Sequence, residues 1–250
     1  MNRNRYRRVV LMSGVAAPSG PMPFGGVYTW WANMNNAVFS DSGGTDYVDS
    51  VPLTGIADQF EQPTAARRPL YIHAGLDANY LMRADATNIK IYKGIDSAVF
   101  NGGGTFAFLG LLNNNGAINK TIFTEVTTGT FLYNFQIAVD GGNNLTVYTD
   151  ADHTQVFGAF TYAQYAVHHF TLSGTTFSYY KNGVFVQSRT VNQNMTVAKP
   201  LTAFNYKDIN AEQGFGDMGD IVALTGTALD ATAIGNDYTN FWKVKYPSLP

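Results

Sequence analysis

Residues 167–191 constrain the fold of this chain more than any other stretch. They contain three short runs rich in aromatic and β-branched residues, separated by the turn sequences Ser173-Gly174 and Asn182-Gly183. An Asn-Gly pair supplies the positive φ angles that a two-residue hairpin turn requires. The pattern therefore predicts a meander of three antiparallel strands and, with it, an all-β fold.

Further strand candidates recur along the chain at spacings near ten residues, with a turn sequence at each break. They are residues 105–112, 121–126, 131–139, 145–149, 156–160 and 218–224. The chain has 250 residues, 25 of them glycine, and only 14% are charged. Many short strands joined by uncharged polar loops are typical of a β-sandwich, and a sandwich of this length commonly remains one domain.

The last helix-like pattern lies in residues 229–246. Four apolar residues there have the spacing of one helical face: Ile234, Tyr238, Phe241 and Trp242. Asp230 precedes them as a candidate N-cap. We expect a short C-terminal helix that packs one face on the sandwich.

Three segments together resemble the concanavalin A-like, or laminin-G-like, sandwich family of phage and bacterial surface proteins. They are the meander with its Gly-Thr-Thr and Asn-Gly turns, the stretch from Gln62 to Pro69, and the strand at 218–224 with its closing helix. The resemblance implies an all-β, concanavalin A-like (laminin-G-like) jelly-roll sandwich over residues 27–250. It extends across most of the chain.

Residues 1–26 read as a basic N-terminal arm followed by a proline-rich linker. The arm contains Arg3, Arg5, Tyr6, Arg7, Arg8, Val9, Val10 and Leu11. The formal net charge is −2, so removing the four arginines leaves −6 on the remaining chain (−2 − 4). A basic arm on an acidic body favours docking into a groove of a neighbouring subunit over nucleic-acid binding. Residues 9–17 also resemble the short apolar core of a signal peptide, which is the less favoured interpretation.

The residues that commonly carry catalysis are sparse or isolated. The chain has no cysteine, and its three glutamates, Glu61, Glu125 and Glu212, do not form the Glu-x-Asp-x-Glu pattern of sandwich-type glucanases. His168 and His169 are adjacent on a predicted strand, so they point to opposite faces, and we expect one exposed and one packed ring. No serine lies in a Gly-x-Ser-x-Gly context. The sequence therefore predicts that the chain is not an enzyme.

Two kinds of binding site remain open. Hard oxygen ligands for calcium are available from Asp140, Asn143, Asn144, Asp150 and Asp152, although plain turns explain such clusters more simply. Aromatic residues could stack on sugar rings, although core packing is the commoner role of alternating aromatics. The candidates are Trp30, Trp31, Tyr133, Tyr162, Tyr165, Tyr179 and Tyr180.

These observations lead to two hypotheses about function. The first is a virion structural protein, a phage capsid decoration protein that the N-terminal arm anchors to other virion proteins such as the major capsid protein. This hypothesis also expects a homo-oligomer, location in the virion, no contact with a membrane and no bound cofactor beyond a possible calcium ion. The alternative is a carbohydrate-binding module, such as a phage tail adhesin or a surface lectin.

Overall fold

A computed structural model of the chain describes residues 20–36, 50–52, 59–61, 70–72, 75–84, 100, 102–114, 120–125, 136–150, 153–191, 201–203 and 215–250. Within these ranges no helix has the length and apolar character needed to cross a membrane. The described strands are, in chain order, β1 (Trp30–Ala32), β2 (Ser50–Pro52), β3 (Gln59–Glu61), β4 (Leu70–Ile72), β5 (Leu81–Ala84), β6 (Gly104–Asn113), β7 (Lys120–Glu125), β8 (Gln136–Val139), β9 (Asn144–Asp150), β10 (His153–Ala159), β11 (Ala166–Ser173), β12 (Thr176–Lys181), β13 (Val184–Thr190), β14 (Leu201–Ala203) and β15 (Phe215–Thr225).

The strands form two main antiparallel sheets. The larger sheet has eight strands in the order β13-β12-β11-β6-β15-β5-β4, with β1 pairing to β15 beside this path. The smaller sheet has five strands in the order β10-β9-β8-β7-β14. Strands β2 and β3 form a separate antiparallel pair. Because sequence neighbours such as β6 and β7 lie in different sheets, the chain crosses repeatedly between the two layers, as in a sandwich.

The larger sheet is covered on both faces, and β6 shows this by its alternation. Phe106 and Phe108 point into the core between the two sheets. Ala107 and Leu109 point the other way, into a second core beneath the C-terminal helix. Since side chains on a strand alternate with a period of two, a strand buried on both faces must be apolar almost throughout. The central strands of this sheet therefore contribute to two hydrophobic layers at once.

The predicted C-terminal helix is confirmed. It runs through α1 (Ala231–Asp237), a π-helical turn (Tyr238–Trp242) and α2 (Lys243–Lys245). Asp230 caps it, because its carboxylate accepts a hydrogen bond from the Ala233 N–H at 2.8 Å. The predicted apolar face, Ile234, Tyr238, Phe241 and Trp242, is buried in the second core.

The predicted meander is confirmed as β11, β12 and β13. Asn182 and Gly183 have φ angles of 51° and 77°, which are the positive values that the hairpin turn needs. Gly174 in the other turn has a φ of 58°. The described chain is thus an all-β, concanavalin A-like (laminin-G-like) sandwich with a short C-terminal helix, as the sequence predicts.

Candidate functional site

Several loops and strand ends meet at one end of the sandwich, which we call the loop end. The end of β6, the starts of β7, β11 and β15, and the turn between β8 and β9 all lie there. Residues 160–165 cross this end between β10 and β11. The Phe160 N–H donates to the Asn143 carbonyl of the smaller sheet, and the Ala163 N–H donates to the Leu112 carbonyl of the larger sheet, both at 2.8 Å. The segment therefore bridges the two sheets.

Tyr162 is the central side chain of this bridging segment, and it is half-buried. Its hydroxyl donates to Asn143 Oδ1 at 3.0 Å. The ring packs edge-on against Phe160, with a centroid distance of 5.5 Å. The Lys120 ammonium lies 5.2 Å from the ring centroid, which adds a cation–π contact. These contacts hold the ring in one orientation while part of it stays open to solvent.

Tyr165 begins a second group at the loop end, together with Asp217 and Arg83. The Tyr165 hydroxyl donates to Asp217 Oδ2 at 2.5 Å, and the Arg83 guanidinium donates to both carboxylate oxygens at 2.6 and 2.8 Å. The Asp217 side chain is 4% exposed, whereas that of Arg83 is 43% exposed. The Asp217 carboxylate therefore lies inside the protein, and the Arg83 side chain extends to the surface.

The electrostatics of this group follow from those contacts. Burial, followed by the hydrogen bond to Asp217, raises the pKa of Tyr165 above its ordinary value. The hydrogen bond to Asp217 raises the pKa of the Arg83 guanidinium further. At neutral pH the tyrosine is therefore a neutral donor and the arginine a fixed cation. Two of the five guanidinium N–H groups donate to Asp217, and 43% of the Arg83 side chain is exposed to solvent.

The fold explains why these residues meet. Arg83 on β5 and Asp217 on β15 are directly opposite each other in the antiparallel register, so they form a cross-strand pair. Ala163, between the two tyrosines, has a φ of 54°, a left-handed conformation that costs energy for any residue with a Cβ atom. The bond from Ala163 to Leu112 holds this turn in place. Backbone strain of this kind often accompanies binding sites, although Phe24, Asp77 and Ala78 have the same conformation elsewhere in the described chain.

Sequence reasoning identified part of this site. Tyr162 and Tyr165 are among the predicted aromatic candidates, and both are half-buried at the loop end. Arg83 and Asp217 are not among the predicted residues, because nothing in the sequence shows that positions 134 apart become cross-strand neighbours. The other described candidates are core residues: Trp31, Tyr179 and Tyr180. The Trp30 side chain and Tyr133 lie outside the described residues.

The expectation that one of the two adjacent histidines is exposed is wrong, because both are buried. They do point to opposite faces. His168 Nδ1 lies 2.9 Å from the Tyr179 hydroxyl in the core between the sheets, and His169 Nε2 lies 3.0 Å from Asp237 Oδ2 beneath the helix. Burial lowers the pKa of His168 to about 3. The physical reason is that the helix covers the face of β11 that an ordinary sandwich leaves open.

The calcium candidates can be placed only in part. The Asp140 carboxylate accepts a hydrogen bond from the Asn144 N–H at 2.8 Å and so closes the turn between β8 and β9. Asn143 accepts the Tyr162 hydroxyl. Among the described residues, no three His, Cys, Asp or Glu side chains are grouped as they would be around a metal ion. The Asp150 side chain and Asp152 lie outside the described residues.

The predicted anchor residues of the arm also lie outside the described part of the chain. These are Arg3, Arg5, Tyr6, Arg7, Arg8, Val9, Val10 and Leu11. The same holds for Glu212 and for the side chains of Glu61 and Glu125. Of the predicted linker, residues 20–26 are described, and Pro23 and Phe24 within it are buried. The Phe24 N–H donates to Asp237 at 2.5 Å.

The two sheets and the loop end define a concanavalin-like β-sandwich, and comparison with solved structures supports this class. Two Trypanosoma rangeli sialidase structures, solved with 2,3-difluorosialic acid and with 2,3-difluoro-KDN, align with TM-scores of 0.57 and 0.53 at 8% and 9% sequence identity. The alignments cover 84% and 89% of this chain, but only 32% and 35% of the sialidase chains. The chain therefore spans about a third of the length of these sialidases.

A third similar structure is the binding domain of botulinum neurotoxin serotype D, with a TM-score of 0.50 at 13% identity. The alignment covers 68% of this chain and 44% of that domain. No family model matches the sequence, and no curated protein matches it either. At these identities the comparisons show a shared fold.

The prediction that the chain is not an enzyme is wrong. The fold and the sequence motifs do not exclude enzymatic activity. Sialidases are among the proteins with which it shares its architecture. The missing glucanase motif excludes one kind of sandwich enzyme, and it carries no weight against others. An identity of 8–9% over a third of those enzymes does not show enzymatic activity in this chain either.

Proposed function

We propose that this protein is a carbohydrate-binding module whose binding surface is the loop end around Tyr162 and Tyr165. The observation that carries the proposal is the bridging segment itself. It contains two half-buried tyrosines three positions apart, Tyr162 against the core between the sheets and Tyr165 against the core beneath the helix, and each hydroxyl is fixed by a hydrogen bond to a neighbouring element. Rings held in this way need little further ordering when a ligand binds.

The chemistry of the loop end fits a sugar. A pyranose ring has an apolar C–H face that stacks on an aromatic ring, and it has hydroxyl groups that both donate and accept hydrogen bonds. For the first contact the loop end offers the Tyr162 ring on the side of the core between the sheets, and the Tyr165 ring on the side of the core beneath the helix. For the second it offers the Asn143 amide and the exposed N–H groups of Arg83. Binding sites commonly combine apolar surface with a few fixed polar groups in this way.

The charges at this end favour an uncharged or weakly acidic sugar. Asp217 neutralises Arg83 through two hydrogen bonds, so the guanidinium still donates but carries little net field. The similar structures lend general support, because they include a toxin binding domain and a sialidase solved with a sialic acid derivative. They therefore support the carbohydrate-binding hypothesis more than they support the capsid hypothesis.

A glycan array that contains neutral and sialylated oligosaccharides tests the proposal, followed by calorimetry with the strongest binder. Tyr162→Ala should weaken binding about tenfold, the effect of losing roughly 1.4 kcal/mol of ring stacking. Tyr165→Ala should weaken it by a similar factor. Arg83→Ala should also weaken binding, because it removes the exposed donors.

Tyr28→Ala is the matched control. Tyr28 is also half-buried, but it precedes β1 and lies near Leu224, at the opposite end of β15 from Asp217. Its removal should leave glycan affinity unchanged. If the array shows no binding, or if a glycan binds the Tyr162→Ala and Tyr165→Ala variants as tightly as the wild-type protein, the proposal is wrong.

The virion hypothesis stays a prediction that rests on the resemblance to phage-type sandwich domains, on the sparse catalytic residues and on the sequence of the arm. Replacing Arg3, Arg5, Arg7 and Arg8 by alanine should release the protein from virus particles without changing its circular dichroism spectrum. Attachment that persists at wild-type occupancy would contradict the predicted anchor. A particle-bound module could still bind glycans through the loop end, so the two experiments are independent.

A further inference from the structure

The exposed apolar side chains of this protein are concentrated on one edge of the sandwich. Within the described part of the chain, six large apolar residues are exposed, and four of them lie on β13 and β10. Val184, Phe185 and Val186 on β13 are 68%, 51% and 45% exposed, and Val156 on β10 is 40% exposed. We call these four residues the edge patch. Single exposed apolar residues are normal, whereas contiguous ones, here the consecutive Val184, Phe185 and Val186, mark interaction surfaces.

The two strands of the edge patch are terminal strands of their sheets. Among the described strands, β13 ends the larger sheet and β10 ends the smaller sheet. The two edges lie side by side, because the Arg189 guanidinium on β13 donates to the Val156 carbonyl on β10 at 3.1 Å. An edge strand presents one row of backbone N–H and C=O groups that can pair with another strand.

A bulge explains why three consecutive residues of β13 are exposed. In the pairing with β12, Tyr179 is opposite Gln187 and Tyr180 is opposite Phe185, so Val186 has no partner residue on β12. The extra residue interrupts the alternation that otherwise turns every second side chain inward. Phe185 packs against the Tyr180 ring at 5.5 Å, yet about half of its surface remains in solvent.

We propose that the edge patch is the interface of a homodimer, in which β13 pairs antiparallel with β13 of a second copy. A strand paired antiparallel with its own copy about a two-fold axis satisfies the backbone groups of both edges without any further partner. With the axis near Phe185, the two phenylalanines face each other, and Val184 of one copy faces Val186 of the other. The apolar residues then cover each other.

The charges of the edge are compatible with a second copy. Arg189 is the only ionisable residue of β13, and its guanidinium donates to the Val156 and Ser188 carbonyls. In the dimer, therefore, no two like charges on β13 face each other near the two-fold axis. An acidic or basic partner of another kind would find little charge to recognise on this strand.

The size of the patch predicts a weak dimer. A stable interface buries about 800 Å² on each partner, and four side chains provide only part of that area. The strand pairing and the flanking residues of β10 must supply the rest. We therefore expect a dissociation constant in the micromolar range, so that the dimer forms as the protein concentration rises.

The test is sedimentation velocity of the full chain over a range of concentrations. Phe185→Lys and Val184→Lys should each weaken dimerisation at least tenfold, because they place a charge against the apolar surface of the other copy. Val244→Lys is the matched control, since Val244 is 56% exposed but lies on the C-terminal helix. It should dimerise as the wild-type protein does.

Cross-linking provides a second measurement that does not depend on variants that weaken the dimer. The chain has no cysteine, so a single introduced cysteine reports on one position. Phe185→Cys should form a disulfide-linked dimer on mild oxidation. Ser188→Cys should not form this disulfide. Position 188 is three residues from the axis in each copy, so the two introduced cysteines would lie roughly 20 Å apart. Val244→Cys should also remain monomeric.

Three outcomes would overturn the proposal. The first is a wild-type chain that stays monomeric at the highest concentration. The second is dimerisation of Val184→Lys and Phe185→Lys that equals that of the wild-type protein. The third is a Val244→Cys variant that cross-links as efficiently as Phe185→Cys. Deletion of residues 1–19 provides a further test. If that deletion abolishes the dimer while Phe185→Lys does not, the N-terminal arm carries the contact and the edge patch does not.

Discussion

Two aspartates on β15, three positions apart, are both buried but bind different partners. Asp220 lies beneath the C-terminal helix and is fully buried. It accepts hydrogen bonds from Trp31 Nε1 at 3.0 Å, from the Lys245 ammonium at 2.5 Å and from the Tyr246 hydroxyl at 3.1 Å. Its partners come from β1 and from the C-terminal segment, so Asp220 joins both ends of the described chain to the larger sheet.

Asp217 lies on the same strand where it reaches the loop end. Its partners are Arg83 on the neighbouring strand and Tyr165 on the bridging segment. Arg83 keeps nearly half of its side chain in solvent. The comparison shows that one strand serves two purposes. Where the helix covers it, a carboxylate organises the interior, and where the helix ends, a carboxylate positions groups that a ligand can reach.

The largest expected effect is that of Asp220→Ala. Removing the carboxylate leaves the Trp31 N–H without its partner and the Lys245 ammonium with only the Asn33 amide oxygen and no counter-charge, and breaking a buried ion pair in this way typically costs about 3–5 kcal/mol. Urea unfolding followed by tryptophan fluorescence measures the loss. A cost below about 1 kcal/mol would mean that the covered half of β15 relaxes as easily as the loop end does.

A second interior polar group, His168, makes stability depend on pH. Its pKa is about 3 in the folded protein, whereas an unfolded histidine has a pKa of about 6.5. Between these values the unfolded chain binds more protons, so stability falls as pH decreases from 6.5 towards 3. The slope from this group is at most about 1.4 kcal/mol for each pH unit. Above pH 6.5 the group contributes no pH dependence.

The control for this effect is His168→Phe, which keeps a ring between Phe108 and Tyr179. Unfolding free energies of both proteins are measured from pH 7 down to pH 4. The wild-type protein should lose stability more steeply than the variant. Parallel curves would show that His168 becomes protonated without unfolding the core.

Glycine substitutions compare a turn that touches the helix with one that does not. Gly183 and Gly174 both have positive φ, so valine at either position is strained by about 1–3 kcal/mol. A Cβ atom at Gly183 would lie 2.7 Å from Tyr238 Cβ, whereas none of the non-neighbouring atoms lies within 4 Å at Gly174. Gly183→Val should therefore lower the thermal unfolding midpoint more than Gly174→Val. Equal losses would mean that Tyr238 moves aside at little cost.

The smallest expected effect on stability is that of Asp217→Ala. Water can hydrate the Arg83 guanidinium that is left behind, so we expect a cost of about 1 kcal/mol or less, as for other ion pairs near the surface. Glycan affinity should nevertheless fall, because Arg83 and Tyr165 lose the group that positions them. A large loss of stability with unchanged affinity would reverse the contrast between the two aspartates.

The local features of the sequence determined much of the fold. The Asn182-Gly183 turn, the strands of the meander and the apolar face of the C-terminal helix follow from spacing and turn chemistry. These features are local because backbone conformation and side-chain periodicity act over a few residues. They are sufficient to predict a β-sandwich with a closing helix.

The tertiary structure decided the rest. The helix covers the outer face of the larger sheet, and for that reason His169 is buried as well as His168, and Asp220 is enclosed. The register of β5 with β15 brings Arg83 to Asp217 across 134 positions of sequence, and the bulge between β12 and β13 exposes Val186. Such contacts depend on which strands become neighbours and in what register. The periodicity of one strand does not specify its partner, so only the assembled sheets could show the candidate site and the edge patch.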